Sequence, residues 1–449
     1  MKVAVLNGSP KGEYSITLQT VLFIQKKFPN CQFNIINVGK SIRALEKDLS
    51  NALNVIYASD IILFSYPVYT FIAPYQLHRF IELLKESGAD ISGKFATQLT
   101  TSKHFYDVTA HKYIEENCND LGLKYIKGLS ADMDDLLVPS GQKDAIQFWE
   151  YVCFCYEEGL YEHTANAHEK QPEESVPIKG DKMDYSGISQ PSNECNDTVI
   201  VTNCEPEDDR LTEMIAEFRK LYPHSTRVVN IREYPFKGGC LGCFNCAVTG
   251  KCIYKDNFDE FLRNDIQKAV ALVYAFTIKD HSMGASFKCY DDRQFCNGHR
   301  TVTMGMPIGY LVNGDLSNEA NLKMIIEGRS EVGHNYLAGI ATDRAGIERL
   351  SKTLSFALKN KLVLPQNFYG VGGMKIFRDL IYVMRGMMRA DHQFYKAHGM
   401  YDFPQKKRGT ILKMKLVGKL LSSPAVKKKM GNRLNEGMIA PYKKVIDAK

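Results

Sequence analysis

The chain has 449 residues, too many for one hydrophobic core, so two or three domains are expected. Apolar residues make up 44% and charged residues 24%, the ordinary balance of a soluble globular protein. The net charge of +6 hides an asymmetry: from Tyr401 onward 13 of the 57 Lys and Arg meet only 3 of the 51 Asp and Glu, so a mildly acidic body carries a basic tail.

No window holds the roughly 18 uninterrupted apolar residues of a membrane span. Met1 to Leu6 already reads as a strand, not as a secretory leader. A cytoplasmic protein is therefore expected. Its 12 cysteines would stay reduced there, suited to metal ligation, reactivity or packing more than to disulfides.

Strand and helix patterns alternate from the start. Lys2–Leu6 and Ile61–Ser65 are short apolar strands, and Phe95–Thr100 is a further one. Ser15–Phe28, Pro74–Glu86, Val108–Gly122 and Asp144–Glu158 have helical periodicity, and Leu123–Leu129 is a weak strand. Strands spaced by helices imply a parallel doubly wound sheet over residues 1–163. Residues 164–197 break the pattern with Glu, Lys, Pro, Ser, Gly and Asn, and read as an exposed linker containing Cys195.

The alternation restarts in residues 198–362. Strands are expected at Thr198–Thr202, Thr226–Ile231, Ala271–Phe276, Pro307–Val312 and Asn335–Ile340. Helices are expected at Asp209–Leu221, Asp256–Lys268, Leu316–Gly328 and Ala345–Leu362. The two parts read as a divergent duplication of one fold. Residues 363–449 form a Met-rich, basic extension with short helices at Phe377–Arg389 and Ile411–Leu421.

Asn7-Gly8-Ser9-Pro10-Lys11-Gly12 directly follows the first strand, where ligands sit in open α/β sheets. Backbone N–H groups at the following helix start favour a phosphate, with Ser9, Ser15 and Thr17 as hydroxyl donors and Lys11 as a cation. The segment is neither a P-loop nor Gly-x-Gly-x-x-Gly. Ser65-Tyr66-Pro67-Val68-Tyr69 and Thr100-Thr101-Ser102-Lys103-His104-Phe105 end two later strands, and Tyr69 and Phe71 can stack on a flat aromatic ring.

These three loops resemble those of NADPH-dependent FMN reductases, which share the flavodoxin-like fold. The resemblance implies FMN bound by Ser9, Lys11, Gly12, Ser15, Ile16 and Thr17 at the phosphate. Pro67, Val68 and Tyr69 would lie at the ring, and Thr100, Thr101 and Ser102 at the ring and ribityl chain. Ile16 stands where the family has Asn.

Cys240, Cys243, Cys246 and Cys252 lie in one Gly-rich loop, and four thiolates can complete an iron–sulfur cubane. A structural zinc site, an unloaded loop and a redox-active disulfide are the alternatives. The segment resembles the cysteine motif of iron–sulfur flavoproteins, as does the Lys255-Asp256-Asn257-Phe258 stretch after it. That likeness implies a 4Fe-4S cluster exchanging electrons with FMN. Cys289 and Cys296, seven apart, read as packing residues on a helix. His281 reads as a solvated loop histidine ahead of a flavin neighbour.

In the second part, Asn203-Cys204-Glu205-Pro206-Glu207-Asp208-Asp209 puts carboxylates where the first has hydroxyls and Lys. They would repel a phosphate, so no FMN is expected there. Two flavodoxin-like doubly wound sheets with a helical basic extension are thus expected. The implied activity is that of an FMN-dependent NAD(P)H oxidoreductase, with nicotinamide nucleotide as co-substrate and no side chain as strong acid or base. The alternative is a flavodoxin-like electron carrier served by a ferredoxin-type protein. The halves would pack as an internal pseudo-dimer, or the chain would form a homodimer, with the cysteine loop near the first flavin. The basic runs Lys406-Lys407-Arg408 and Lys427-Lys428-Lys429 read as solvated, with no nucleic-acid motif.

Overall fold

The computed structural model describes residues 1–162, 197–363 and 366–424. The expected linker up to residue 196, with Cys195, and the Lys427-Lys428-Lys429 run lie outside the described residues.

β1 (Lys2–Asn7) is apolar and buried past its first residue, as a central parallel strand with helices on both faces must be. It pairs with β2 (Gln32–Ile36) and β3 (Ile61–Pro67). β3 pairs with β4 (Phe95–Ser102), against which both β5 (Lys124–Tyr125) and β6 (Leu129–Asp132) lie. All pairings are parallel, in the order β2-β1-β3-β4-β5. The helices of this half are α1 (Ile16–Lys27), α2 (Val38–Leu45), α3 (Ser50–Tyr57), α4 (Tyr75–Glu86), α5 (Asp107–Asp120) and α6 (Pro139–Glu158). Ser15 caps α1 by accepting the Leu18 N–H at 3.3 Å. α6 starts at a proline and stops at Gly159 with φ +70°, the left-handed residue that ends many helices. Between α1, α6 and the sheet, Trp149 is fully buried against Phe33, Val21 and Val152.

The second half repeats this plan. β7 (Thr198–Thr202), β8 (Thr226–Asn230), β9 (Ala271–Thr277), β10 (Pro307–Asn313) and β11 (Tyr336–Ala341) pair in parallel in the order β11-β10-β9-β7-β8. Counted within each half, both sheets have the strand order 2-1-3-4-5, which is the flavodoxin-like arrangement. Its helices are α7 (Asp209–Leu221), α8 (Asn245–Thr249), α9 (Phe258–Phe261), α10 (Gly284–Arg293), α11 (Ala320–Val332) and α12 (Arg344–Asn360). α13 (Phe368–Val383), α14 (Arg389–Ala397) and α15 (Arg408–Leu421) follow. Met1–Phe394 is one compact unit, and a second begins at Tyr395. No helix among the described residues is long and apolar enough to cross a membrane.

The expected elements occur with shifted bounds. β4 runs on to Ser102, so Thr100, Thr101 and Ser102 belong to the strand and not to the loop after it. Leu123–Leu129 divides into β5 and β6. Asp256–Lys268 is a single helical turn, α9, continued by a π-helical turn over Leu262–Ile266. β2, α2 and α3 are not among the expected elements: β2 is a part-buried edge strand with polar Gln32 and Asn34, and the two helices have only eight residues each.

The halves meet through corresponding elements, α4 against α10 and α5 against α11. α4 and α10 run antiparallel and cap each other. The Tyr75 N–H at the start of α4 donates to Asp292 Oδ2 (2.8 Å), and the Ala285 N–H near the start of α10 donates to Glu82 Oε1 (2.7 Å). Aligning β3 with β9 brings Tyr75 onto Ala285 and Glu82 onto Asp292, so one contact is made twice, as across a two-fold axis. An internal pseudo-dimer of the kind expected would use this interface.

Candidate functional site

The loop after β1 is held by its own half. Asn7 Nδ2 donates to the Gly12 carbonyl (3.0 Å) and to Asn37 Oδ1 (2.8 Å). Ser9 Oγ accepts the Lys11 N–H at 3.3 Å. Ser9, Ser15 and Thr17 are buried, while Ile16 is 42% exposed at the helix start. Thr17 Oγ1 meets Thr101 Oγ1 at 2.6 Å, which ties α1 to the end of β4. Thr100 Oγ1 meets His111 Nε2 at 2.8 Å, and burial pushes that imidazole down to about 4. Ser102 Oγ accepts the His104 N–H at 2.9 Å. Gly8 and Gly12 serve packing: a side chain on Gly8 would press on Leu77 and Tyr66, and Gly12, at φ +55°, lies under Lys40. The first N–H groups of α1 have no partner within the helix, as at every helix start.

After β3, Tyr69 and Ile72 exchange both backbone hydrogen bonds (2.8 and 3.1 Å) around Thr70 and Phe71. Those two have φ +43° and +74°, which makes a type I′ turn without glycine. Such residues cost about 1–3 kcal/mol each and persist only where their surroundings hold them. Phe71 packs on Phe105 and Tyr106, with ring centroids 5.0 and 4.1 Å away, and Phe105 stacks on Phe377 of α13 at 4.4 Å. Pro67, Val68 and Tyr69 are part-buried.

The cysteine loop of the second half lies on these loops of the first. Lys11 Nζ sits 5.3 Å from the centre of the Phe244 ring. Gln76 Nε2 donates to the Cys240 carbonyl at 3.4 Å. The space a side chain would need at Gly242 (φ +59°) is taken by the Tyr69 hydroxyl, with Lys11 Cε 3.5 Å away. Burial, with Cys240, Asp292 and Cys243 nearby, pushes the Tyr69 phenol well above its ordinary range.

Three arginines hold the loop. Arg293, fully buried, grips both Asp256 carboxylate oxygens (2.8 and 2.9 Å), donates to the Gly238 carbonyl (2.8 Å) and comes within 3.9 Å of Cys252 Sγ. Arg263 donates to the Gly250 carbonyl (2.6 Å) and Arg300 to that of Cys246 (3.4 Å). Arg300 also pairs at 2.7 Å with Asp391, which is fully buried. Cys240, Cys243, Cys246 and Cys252 are free thiols. Burial pushes Cys240 up, and burial with the charges of Asp391 and Cys243 pushes Cys246 up to about 11. Among the described residues, only Glu116, His281 and Glu319 bring three possible ligand atoms within 4.8 Å of one another. No three of the loop thiols therefore lie within 4.8 Å of one another, whereas tetrahedral zinc with 2.3 Å bonds brings its ligand atoms to about 3.8 Å. Cys296 is buried near Cys246 and Cys252, with its thiol raised to about 12. Cys289 is also buried, on α10, while Cys296 falls in the short turn after it.

In the second half the place of the first loop is filled. Asp208 caps α7 by accepting the Leu211 N–H (3.0 Å), and its carboxylate also accepts from Thr277 Oγ1 and from Asn313 Nδ2 (3.3 Å) at the ends of β9 and β10. A side-chain anion thus stands at the helix start.

His281 is a part-buried loop residue, 24% exposed and held by carboxylates. Its Nδ1 meets Glu319 Oε1 at 3.0 Å and its Nε2 meets Asp120 Oδ2 at 3.1 Å, which places it between α5 and α11. The imidazole is raised to about 10 because the hydrogen bonds it donates to Asp120 and Glu319, and their charges, outweigh burial. Burial raises the nearby Glu116 carboxyl to about 7. Sequence reasoning missed Asp391, Phe244 and the pairing of Arg293 with Asp256.

Fold and site together define a tandem flavodoxin-like α/β protein whose second half lays a four-cysteine loop on the first half's strand-end loops. No family model matches the chain, and no curated protein matches it by sequence. Among solved structures it is similar to an NADPH-quinone reductase from P. pentosaceus, at 15% identity over 34% of this chain and 97% of that one, with a TM-score of 0.28. An FMN-dependent NADH-azoreductase from Bacillus anthracis has 13% identity over 35% and 99%, with a TM-score of 0.27. An NAD(P)H:quinone oxidoreductase from Methanothermobacter marburgensis has 12% identity over 37% and 99%, with a TM-score of 0.28.

Proposed function

We propose that the protein is an FMN-dependent NAD(P)H oxidoreductase, with FMN in the first half and an iron–sulfur cluster on the Cys240–Cys252 loop. The observation that carries this reading is the seating of the cysteine loop on Lys11 and Tyr69. Two candidate redox seats from different halves are thereby brought into contact. FMN would supply the chemistry, accepting a hydride and releasing its electrons singly.

The residues present fit that group. Ser9 and Ser15 offer hydroxyls beside the unpaired N–H groups of α1, and Lys11 adds a positive charge. Thr17, Thr100 and Thr101 act one step back: their hydroxyls bond within the half and fix α1 and α5 against β4. Pro67, Val68 and Tyr69 form one wall of the ring position. The donors around the cysteine loop suit an anionic cluster, since Arg263, Arg293 and Arg300 converge on it. Asp208 supports a division of labour in which the second half binds no flavin phosphate.

Anaerobic purification, an absorbance spectrum and counts of FMN and iron test the assignment. Steady NAD(P)H oxidation with a small acceptor supports the enzyme. Reduction by a ferredoxin-type protein alone would instead make the protein an electron carrier. A colourless protein would refute both.

A further inference from the structure

We propose that Lys288 is a positioning residue for the flavin-ring loop, supplied by the second half to the first; the proposal rests on the FMN reading above. Lys288 lies on α10 with no solvent exposure, and its ammonium reaches across the interface. Nζ donates to the Tyr69 carbonyl at 3.0 Å and to Thr70 Oγ1, and it pairs with Asp292 Oδ1 at 2.5 Å and Asp291 Oδ2 at 3.4 Å. Thr70 Oγ1 in turn donates to Asp292 Oδ1 at 2.6 Å. Asp291 is paired with Arg329, whose guanidinium lies 5.8 Å from the centre of the Phe71 ring.

Every anchor of this network on the first half falls on one turn or the residue opening α4. That turn is the strained one, with two consecutive non-glycine residues in the left-handed region. The Tyr69 carbonyl accepts both from Ile72 N–H within the turn and from Lys288 outside it. The turn's own bonds leave the Thr70 and Phe71 N–H groups unused, at the end of β3 where the ring would lie. A buried ammonium is costly unless fully partnered, and Lys288 has four partners of which two belong to the turn. The corresponding turn of the second half, with Asp280 and His281 at φ +52° and +60°, is held from the first half through Lys85 and Asp120. Each half therefore fixes the other's strained turn, and only in the first half does that turn stand among loops fit for a flavin.

The test uses the full chain with Lys288→Met and with the charge-neutral double change Lys288→Met/Asp292→Asn, which leaves no unpaired carboxylate at that position and so protects folding. Two readouts are taken: amide hydrogen exchange of Tyr69 and Ile72 without ligand, and FMN affinity from quenching of flavin fluorescence. The double variant is expected to keep its circular dichroism, to exchange these amides about tenfold faster, and to bind FMN about tenfold more weakly. Unchanged exchange, or FMN bound as tightly as by the wild type, overturns the positioning role. A wild type that takes up no FMN while the variants still speed exchange overturns the flavin reading itself, and the proposal with it.

Discussion

Replacing His281 by Gln removes the one charge that holds Asp120 and Glu319 together across the two halves. The imidazole is raised from 6.5 to about 10 in the folded protein, chiefly because Asp120 and Glu319 accept its hydrogen bonds against the cost of burial. A raised histidine stabilises the fold fully below its unfolded value near 6.5, and the contribution is lost as pH climbs toward 10. The shift sets a ceiling of about 5 kcal/mol. Asp120 is 45% exposed, so solvent screening leaves about 2 kcal/mol. With about 2.1 cal/mol/K of unfolding entropy per residue, a unit of this size loses about 2–3 °C in melting temperature. Glu116, Glu319 and Asp120 face the ring, with Lys85 and Lys112 behind them. The assay is the gap in melting temperature between wild type and His281→Gln at pH 6 and at pH 10.5. The gap should be present at pH 6 and closed at pH 10.5. A gap of equal size at both pH values would show that the His281 charge does not couple Asp120 to Glu319.

Asp208→Ala removes the cap of α7 and an acceptor for Thr277 and Asn313, and should cost about 1–2 kcal/mol in urea unfolding without opening a flavin site. Cys243, the exposed member of the four, can be changed to Ser without a cavity, so Cys243→Ser should lower bound iron and leave FMN content unchanged. Loss of both cofactors together would argue that the sites are not separate.

Much of this architecture was legible in the residues. Apolar runs such as Ile61–Pro67 and Ala271–Thr277 are buried on both faces, and that pattern survives divergence, so both sheets could be read. The acidic loop before α7 read as hostile to a phosphate, and Asp208 within it serves as the cap that a carboxylate commonly supplies at a helix start. What could not be read is what the tertiary structure alone brings together. Lys288 and Thr70 stand 218 positions apart, and nothing local to either predicts their bond. His281 looked solvated because its partners, Asp120 and Glu319, come from other elements. Gly8 and Gly12 likewise answer to distant residues, since Leu77 and Lys40 take the space their missing side chains leave.

Titrating FMN into the full-length protein and into its Ser9→Ala/Lys11→Ala variant addresses the core of the account. A single FMN per wild-type chain is predicted, with affinity falling about a hundredfold in the variant as two contacts to a charged group are lost. Equal affinity in both proteins, or none in either, would contradict it.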